Sequence, residues 1–327
     1  MFQRAMAFAG TWYPGTADAC LRQMGAWAQP RSPAQPRSPA QPGPPEQPGS
    51  AAQPESAEPP VSLPGTRCCV APHAGWMYSG RLAARAIRAT AGAGAGTAAE
   101  SVRLVVVLGG HLHRDDPVIA MSEGEWETPF GPFSIHTGFD SRLTGLPEVV
   151  RESTARHEPD NSIEVLLPFA RHFFPRAELL PLRVPPSEVA LDVGARLAEY
   201  LATAGIPAAA IASTDLTHYG PNYGFEPRGR GPAAERWVRE ENDPLFIRAI
   251  ASGAGRTILD TARRQRNACC PGAVAAVNEI VRAQAGSATF RTIEYATSLD
   301  ALREAEPGAG EPDTAPSFVG YVAGVYA

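Results

Sequence analysis

The chain has 327 residues, 44% of them hydrophobic, and a net charge of −5, which is enough apolar material for one large domain or two small ones. No run of about 18 apolar residues occurs, so no membrane span is expected. The basic residues are scattered arginines without a single lysine, a compositional bias rather than a basic stripe, and this mildly acidic chain excludes a nucleic-acid-binding surface as the expectation.

In chain order, residues 1–10 lack the apolar core of a signal peptide and run into Thr11-Trp12-Tyr13-Pro14. Five cysteines, two adjacent pairs (Cys68-Cys69, Cys269-Cys270) and Cys20, do not suggest a secreted disulfide framework. A cytoplasmic protein is therefore expected. Residues 30–60 repeat Pro-Arg-Ser-Pro-Ala-Gln and offer little to bury, so they predict a disordered, polyproline-like insert. That insert reads as a slack surface loop, or else as a ligand for an adaptor that binds Pro-rich segments.

The remainder alternates strands with helices. Apolar runs at 68–71, 102–108, 179–184 and 208–212 read as strands, and residues 290–295 and 318–325 as closing strands. The run at 102–108 shows no alternation, as expected of a strand covered on both faces. Helices are predicted over 81–91, 162–173, 189–202, 245–252 and 272–283. This pattern implies one α/β domain over residues 1–327, with a largely parallel central sheet flanked by helices on both faces.

In such a sheet, ligands bind outside the carboxyl ends of the strands. Three strand ends here deliver histidines: Ala71-Pro72-His73-Ala74-Gly75, Leu108-Gly109-Gly110-His111-Leu112-His113, and Ser213-Thr214-Asp215-Leu216-Thr217-His218. A fourth segment, Asn267-Ala268-Cys269-Cys270-Pro271, places Cys269 just before a helix whose first turn Pro271 suits. There the helix dipole favours the thiolate that a metal requires. The alternative is a pair of cysteines packed as small hydrophobes.

With these segments in hand, the chain resembles the MEMO family, also called the AmmeMemoRadiSam system protein B group. Ala9-Gly10-Thr11-Trp12-Tyr13, the His73 loop, Val107-Leu108-Gly109 through His113, Ser162-Ile163-Glu164-Val165 with Leu167-Pro168, Ser213-Thr214-Asp215 with His218 and Gly220, and the Cys269 segment occur in that family's order. The resemblance covers nearly the whole chain apart from the Pro-rich insert. It implies a fold similar to the class III extradiol ring-cleaving dioxygenases. It also implies one metal ion, iron or copper (with zinc compatible), held by His73, His113 and Cys269, with His218 and Asp215 beside the open position. His218 would then be the acid–base group, as histidine ordinarily titrates near neutrality. Asp215 would orient it, or serve only as a turn residue. Trp12, Tyr13, Trp76 and Tyr78 either wall the pocket or pack in the core, and Glu164 reads as a helix-face residue near the site.

The sequence departs from the family at the site itself. Gly109-Gly110-His111-Leu112-His113 stands where the family has Gly-Pro-Ser-His-His, so that His111 competes with His113 as ligand; Asn161 replaces a usual histidine and Cys270 a usual glycine. The functions implied are a metal-dependent oxidoreductase, a peptide- or protein-binding module using the same pocket, or a component of a modification system with AMMECR1-like and radical SAM partners.

Overall fold

The computed structural model describes residues 2–27, 66–91, 101–285, 289–305 and 316–327; the predicted 30–60 insert falls outside them. A nine-stranded sheet organises these residues. Its order is His218–Tyr219, Phe318–Tyr326, Arg67–Ala71, Ala208–Ser213, Leu104–Gly109, Glu178–Arg183, Val118–Ala120 and Val149–Arg151, with Phe290–Thr297 also paired to Phe318–Tyr326. The middle of the sheet is parallel: Arg67–Ala71 runs with Ala208–Ser213, which runs with Leu104–Gly109, which runs with Glu178–Arg183. Antiparallel pairing enters towards both edges, through the two closing strands on one side and Val118–Ala120 on the other. A separate three-stranded sheet joins Gln3–Arg4, Glu125–Trp126 and Phe133–Ser134.

The buried strands explain why simple alternation failed to appear in the sequence. Every residue of Leu104–Gly109 and of Ala208–Ser213 is buried, because alternate side chains feed two different cores. Leu104, Val106 and Leu108 join the cluster with Val193, Leu197, Ile258 and Val274. Val105 and Val107 join the opposite cluster with Ile87, Leu167 and Phe169. Helices Val189–Ala204, Gly255–Gln265 and Pro271–Ala285 thus cover one face, while Arg81–Ala91 and Leu167–Phe173 cover the other. Among the described residues, no helix is long and apolar enough to cross a membrane.

The helix expected over 162–173 is two short ones, Asn161–Glu164 and Leu167–Phe173. Pro168 has no N–H to give the carbonyl of Glu164 and its ring would clash there, so the chain re-starts with Pro168 in the first turn of the second helix. Asp160 caps the first helix by accepting the Ser162 N–H at 2.8 Å.

The start of the Pro271–Ala285 helix is fixed by close approach. A methyl group on Gly272 would lie 2.5 Å from the carbonyl oxygens of both Val184 and Pro185. Gly272→Ala should therefore push this helix off the Glu178–Arg183 strand end and destabilise the protein by about 1–3 kcal/mol. Denaturant melts of the two proteins check this; an unchanged midpoint would mean that the turn at Val184 yields freely.

Candidate metal centre

Three adjacent parallel strands end side by side. His73 follows the end of Arg67–Ala71, His111 the end of Leu104–Gly109, and Asp215 the end of Ala208–Ser213. The Pro271–Ala285 helix begins over this edge and brings Cys269 and Cys270. His73 Nε2 lies 3.2 Å from His111 Nε2 and 3.3 Å from the Cys269 sulfur. Cys270 Sγ lies 3.7 Å from Cys269 Sγ, and the four ligand atoms all fall within 4.8 Å of one another.

The hydrogen-bond network fixes which nitrogen of the His73 ring is free. The Ser213 hydroxyl donates its one hydrogen to the Ser162 carbonyl. Its oxygen, 2.7 Å from His73 Nδ1, can then only accept, which places the His73 proton on Nδ1 and the lone pair on Nε2. His111 Nδ1 faces the Asp160 carboxylate at 3.7 Å, and Asp160 is itself held by Ser162. Both Nε2 lone pairs consequently converge on one point beside a sulfur. Without a cation between them they repel, so this arrangement accepts a proton or a metal ion. The donor set, two imidazoles and one or two thiols, suits copper, iron or zinc.

The electrostatics are consistent with a cation site. Burial alone would raise the Cys269 pKa, but the hydrogen bond with Cys270 and the neighbouring His73 and His111 hold it well below its ordinary value. The dipole of the helix that follows acts in the same sense. Burial opposes charge on His111, yet Asp160 and Cys269 push it up to about 10. His73 is likewise raised against its burial, by Cys269 and then Asp215. Cys269 is thus favoured as the thiolate, the form in which a cysteine binds a metal ion.

Asp215 serves as scaffold to two of these groups. Its carboxylate Oδ1 accepts the His73 backbone N–H at 2.8 Å, and its own N–H donates to Cys269 Sγ at 3.2 Å. Burial raises its pKa, with His73 pulling the other way. Asn161, in place of the family histidine, donates through Nδ2 to the His73 carbonyl at 3.3 Å.

The structure brings His73 and Cys269 together, as the sequence led us to expect, but leaves His113 outside the cluster. Gly110 has a φ of +111° at the strand end, and His111 after it sets its Nε2 against His73 while its side chain stays 40% exposed. Residues 113–116 then close an outward turn, in which the His113 N–H donates to Asp116 Oδ2 at 2.6 Å and the Asp116 N–H returns to the His113 carbonyl at 3.1 Å. His113 instead lines a cavity of ≈ 790 Å³ together with Leu112, Tyr223, His218 and Cys269. A second cavity of ≈ 420 Å³ opens on His111 and Asp160. His218 donates or accepts at Nδ1 with the Leu216 carbonyl, 3.1 Å away, and since a carbonyl only accepts, the proton sits on Nδ1. Its ring stands edge-on to Tyr223, with centroids 4.8 Å apart.

Tyr13, Trp76 and Tyr78 resolve in favour of packing, whereas Trp12 is exposed. Tyr13 and Trp76 are buried in the core cluster, Trp76 stacked on Phe169 at 4.1 Å. Trp12, Tyr13, Trp76 and Tyr78 do not line the His218 cavity. Glu164 accepts the Phe8 N–H at 2.8 Å and the Tyr13 hydroxyl at 2.9 Å, tying the N-terminal segment to the fold. Asp160, Ser162, Ser213 and Arg183 were not singled out as site residues in the sequence. The signal available was the capping pattern of Asp160 ahead of Ser162, since a carboxylate at a strand-edge helix start can turn to a neighbouring imidazole.

Comparison with known proteins agrees with these motifs. A family model described as Memo-like protein matches residues 4–307. A MEMO1 family protein of Methanopyrus kandleri is 30% identical over 243 residues, 73% of this chain and 78% of that protein. One of Pyrococcus furiosus is 29% identical over 248 residues, 72% and 82% of the two chains. Among solved structures, an uncharacterized protein from Escherichia coli K12 superposes with a TM-score of 0.46 at 14% identity, covering 80% of this chain and 100% of that one.

Proposed function

The chain belongs to the Memo-like protein family, and from that premise and the pocket geometry we propose that it is a metal-dependent oxidoreductase acting on a small molecule. The ion, copper or iron, is held by His73, His111 and Cys269. The observation that carries this reading is that His73 Nε2 lies 3.2 Å from His111 Nε2 and 3.3 Å from the Cys269 sulfur, with His73 held from behind through Nδ1 and His111 Nδ1 facing Asp160. Such an ion would supply one-electron chemistry to a molecule bound in the adjoining cavity. His218, with its proton on Nδ1, offers Nε2 as a base to that molecule. Asp215 works through position: its carboxylate accepts the His73 backbone N–H, its N–H donates to the Cys269 sulfur, and its carbonyl accepts the Cys269 N–H. Among the arginines of the cavity wall Arg256 pairs with Glu188 and Arg263 with Asp260, whereas Arg266 donates to the Tyr223 and Gly224 carbonyls and brings a positive charge that favours an anionic ligand.

Anaerobic purification with elemental analysis tests the proposal. Wild type should carry close to one iron or copper per chain and consume oxygen with an oxidisable phenolic or carboxylate substrate. Cys269→Ala should carry far less metal and show no such consumption. Equal metal in both proteins would remove the assigned ligand set, and filled but inert wild type across such a panel would favour the alternative of a binding module.

A further inference from the structure

Cys270 is the one member of the four-atom cluster that the proposed ligand set leaves unused. It is buried and lies outside the lining of the His218 cavity, whereas Cys269 faces that cavity. Its backbone is fixed: the Cys270 N–H donates to Thr214 Oγ1 at 3.1 Å, while the Cys269 N–H donates to the Asp215 carbonyl at 3.2 Å. Two adjacent sulfurs are thereby held on the same side of the helix start, 3.7 Å apart.

These spacings can be compared with a tetrahedral ion. Metal–sulfur bonds of about 2.3 Å and metal–nitrogen bonds of about 2.0–2.1 Å give edges of about 3.8 Å between two sulfurs, about 3.6 Å between sulfur and nitrogen, and about 3.3 Å between two nitrogens. The corresponding separations here are 3.7 Å for Cys269–Cys270, 3.3 Å for Cys269–His73 and 3.2 Å for His73–His111. Three edges of the tetrahedron are thus present within about 0.3 Å of those set by the bond lengths. The other three involve atoms already inside 4.8 Å.

We infer that Cys270 is a fourth protein ligand, so that the ion sits in a closed site of two histidines and two cysteines. The inference rests on the metal reading above and changes its consequence. As the ion binds, the Cys270 thiol loses its proton to solvent and its sulfur pair forms the metal bond. Two thiolates balance a divalent charge, which lessens the cost of burying it. They also make the donor set soft, favouring zinc or copper over iron. A molecule in the cavity then reaches the ion only by adding a fifth ligand or displacing one, and Cys269 is the ligand on that side.

The test uses cobalt(II) and zinc on metal-free wild type, Cys270→Ser and Cys269→Ser. Wild type should take one ion with tetrahedral cobalt bands. Its sulfur-to-cobalt absorption should fall about twofold in Cys270→Ser, and zinc affinity should drop by more than the 10–100-fold that loss of a hydrogen-bonded neighbour costs. Zinc-edge X-ray absorption on wild type needs no variant to fold, and should count two sulfurs at about 2.3 Å. One sulfur, or unchanged absorption in Cys270→Ser, overturns the Cys270 assignment and leaves the three-ligand site standing. Wild type that binds neither ion overturns the closed four-ligand site, and one that also takes up no copper or iron overturns the three-ligand site with it.

Discussion

His111→Ala should leave the protein nearly metal-free, while His113→Ala should keep its metal. The two residues are separated by a single leucine, yet their geometry differs completely. His111 Nε2 is 3.2 Å from its partner nitrogen on His73, with its other nitrogen turned to Asp160. His113 is exposed beyond an outward turn tied by Asp116, and its side chain meets the cavity rather than the cluster. Losing a hydrogen-bonded neighbour of a ligand typically costs 10–100-fold in metal affinity, and losing the ligand itself costs more. The His111 variant should therefore lose more than about 100-fold by that comparison. Competition with a chromogenic chelator, on both variants and wild type at one pH, gives the ratio. If His113→Ala empties the site and His111→Ala does not, the loop after Gly109 rearranges on binding and the resemblance to the family was the better guide. Folding does not confuse the comparison in the first case, since the network behind His111 (Asp160, Arg183, Glu152) remains paired without it.

The contrast between these two histidines also marks what the sequence could and could not say. The sheet was legible because its strands are apolar on both faces: 102–108 and 208–212 lie within or one or two residues from the observed strands Leu104–Gly109 and Ala208–Ser213. The helices at 81–91 and 272–283 were equally readable, the second with Pro271 at its start. From three strand ends and one helix start, the convergence of His73 and Cys269 followed. The choice between His111 and His113 did not, because it depends on a backbone rotation at Gly110. Glycine permits φ of +111° but does not by itself demand it. Arg183 on the neighbouring strand independently leaves no room for a side chain here, since its Cβ would lie 2.8 Å from a methyl on Gly110. That contact spans more than seventy residues of chain and has no local signature. The short strands Val118–Ala120 and Val149–Arg151, and the small sheet around Glu125–Trp126, were missed for a similar reason. Runs of two or three residues carry too little pattern to read, and their pairing comes from the partner strand.

His218→Ala should retain its metal and lose turnover. The residue stands in the wall of the same cavity as Cys269, but the cluster of converging ligand atoms forms without it. Leu216 fixes its proton on Nδ1 and Tyr223 stands against its ring, so the free Nε2 has a defined tautomer and a defined position. A base held in this way typically contributes about 10²–10⁴-fold to the rate of proton transfer from a bound molecule. Removing it should lower kcat by that range, with metal content within error of wild type and little change in thermal stability, since the side chain is only half-buried. Rates must be compared at matched metal loading, with His73→Ala as the contrasting variant that loses both metal and rate. His73 is fully buried, its Nδ1 is engaged by Ser213, and its Nε2 is shared between His111 and Cys269, so no neighbour replaces it. Loss of metal from His218→Ala would make His218 a ligand and reopen the assignment of the cluster. Full activity with full metal would remove the acid–base role, and the cavity would then read as a binding surface whose metal holds a ligand without transforming it.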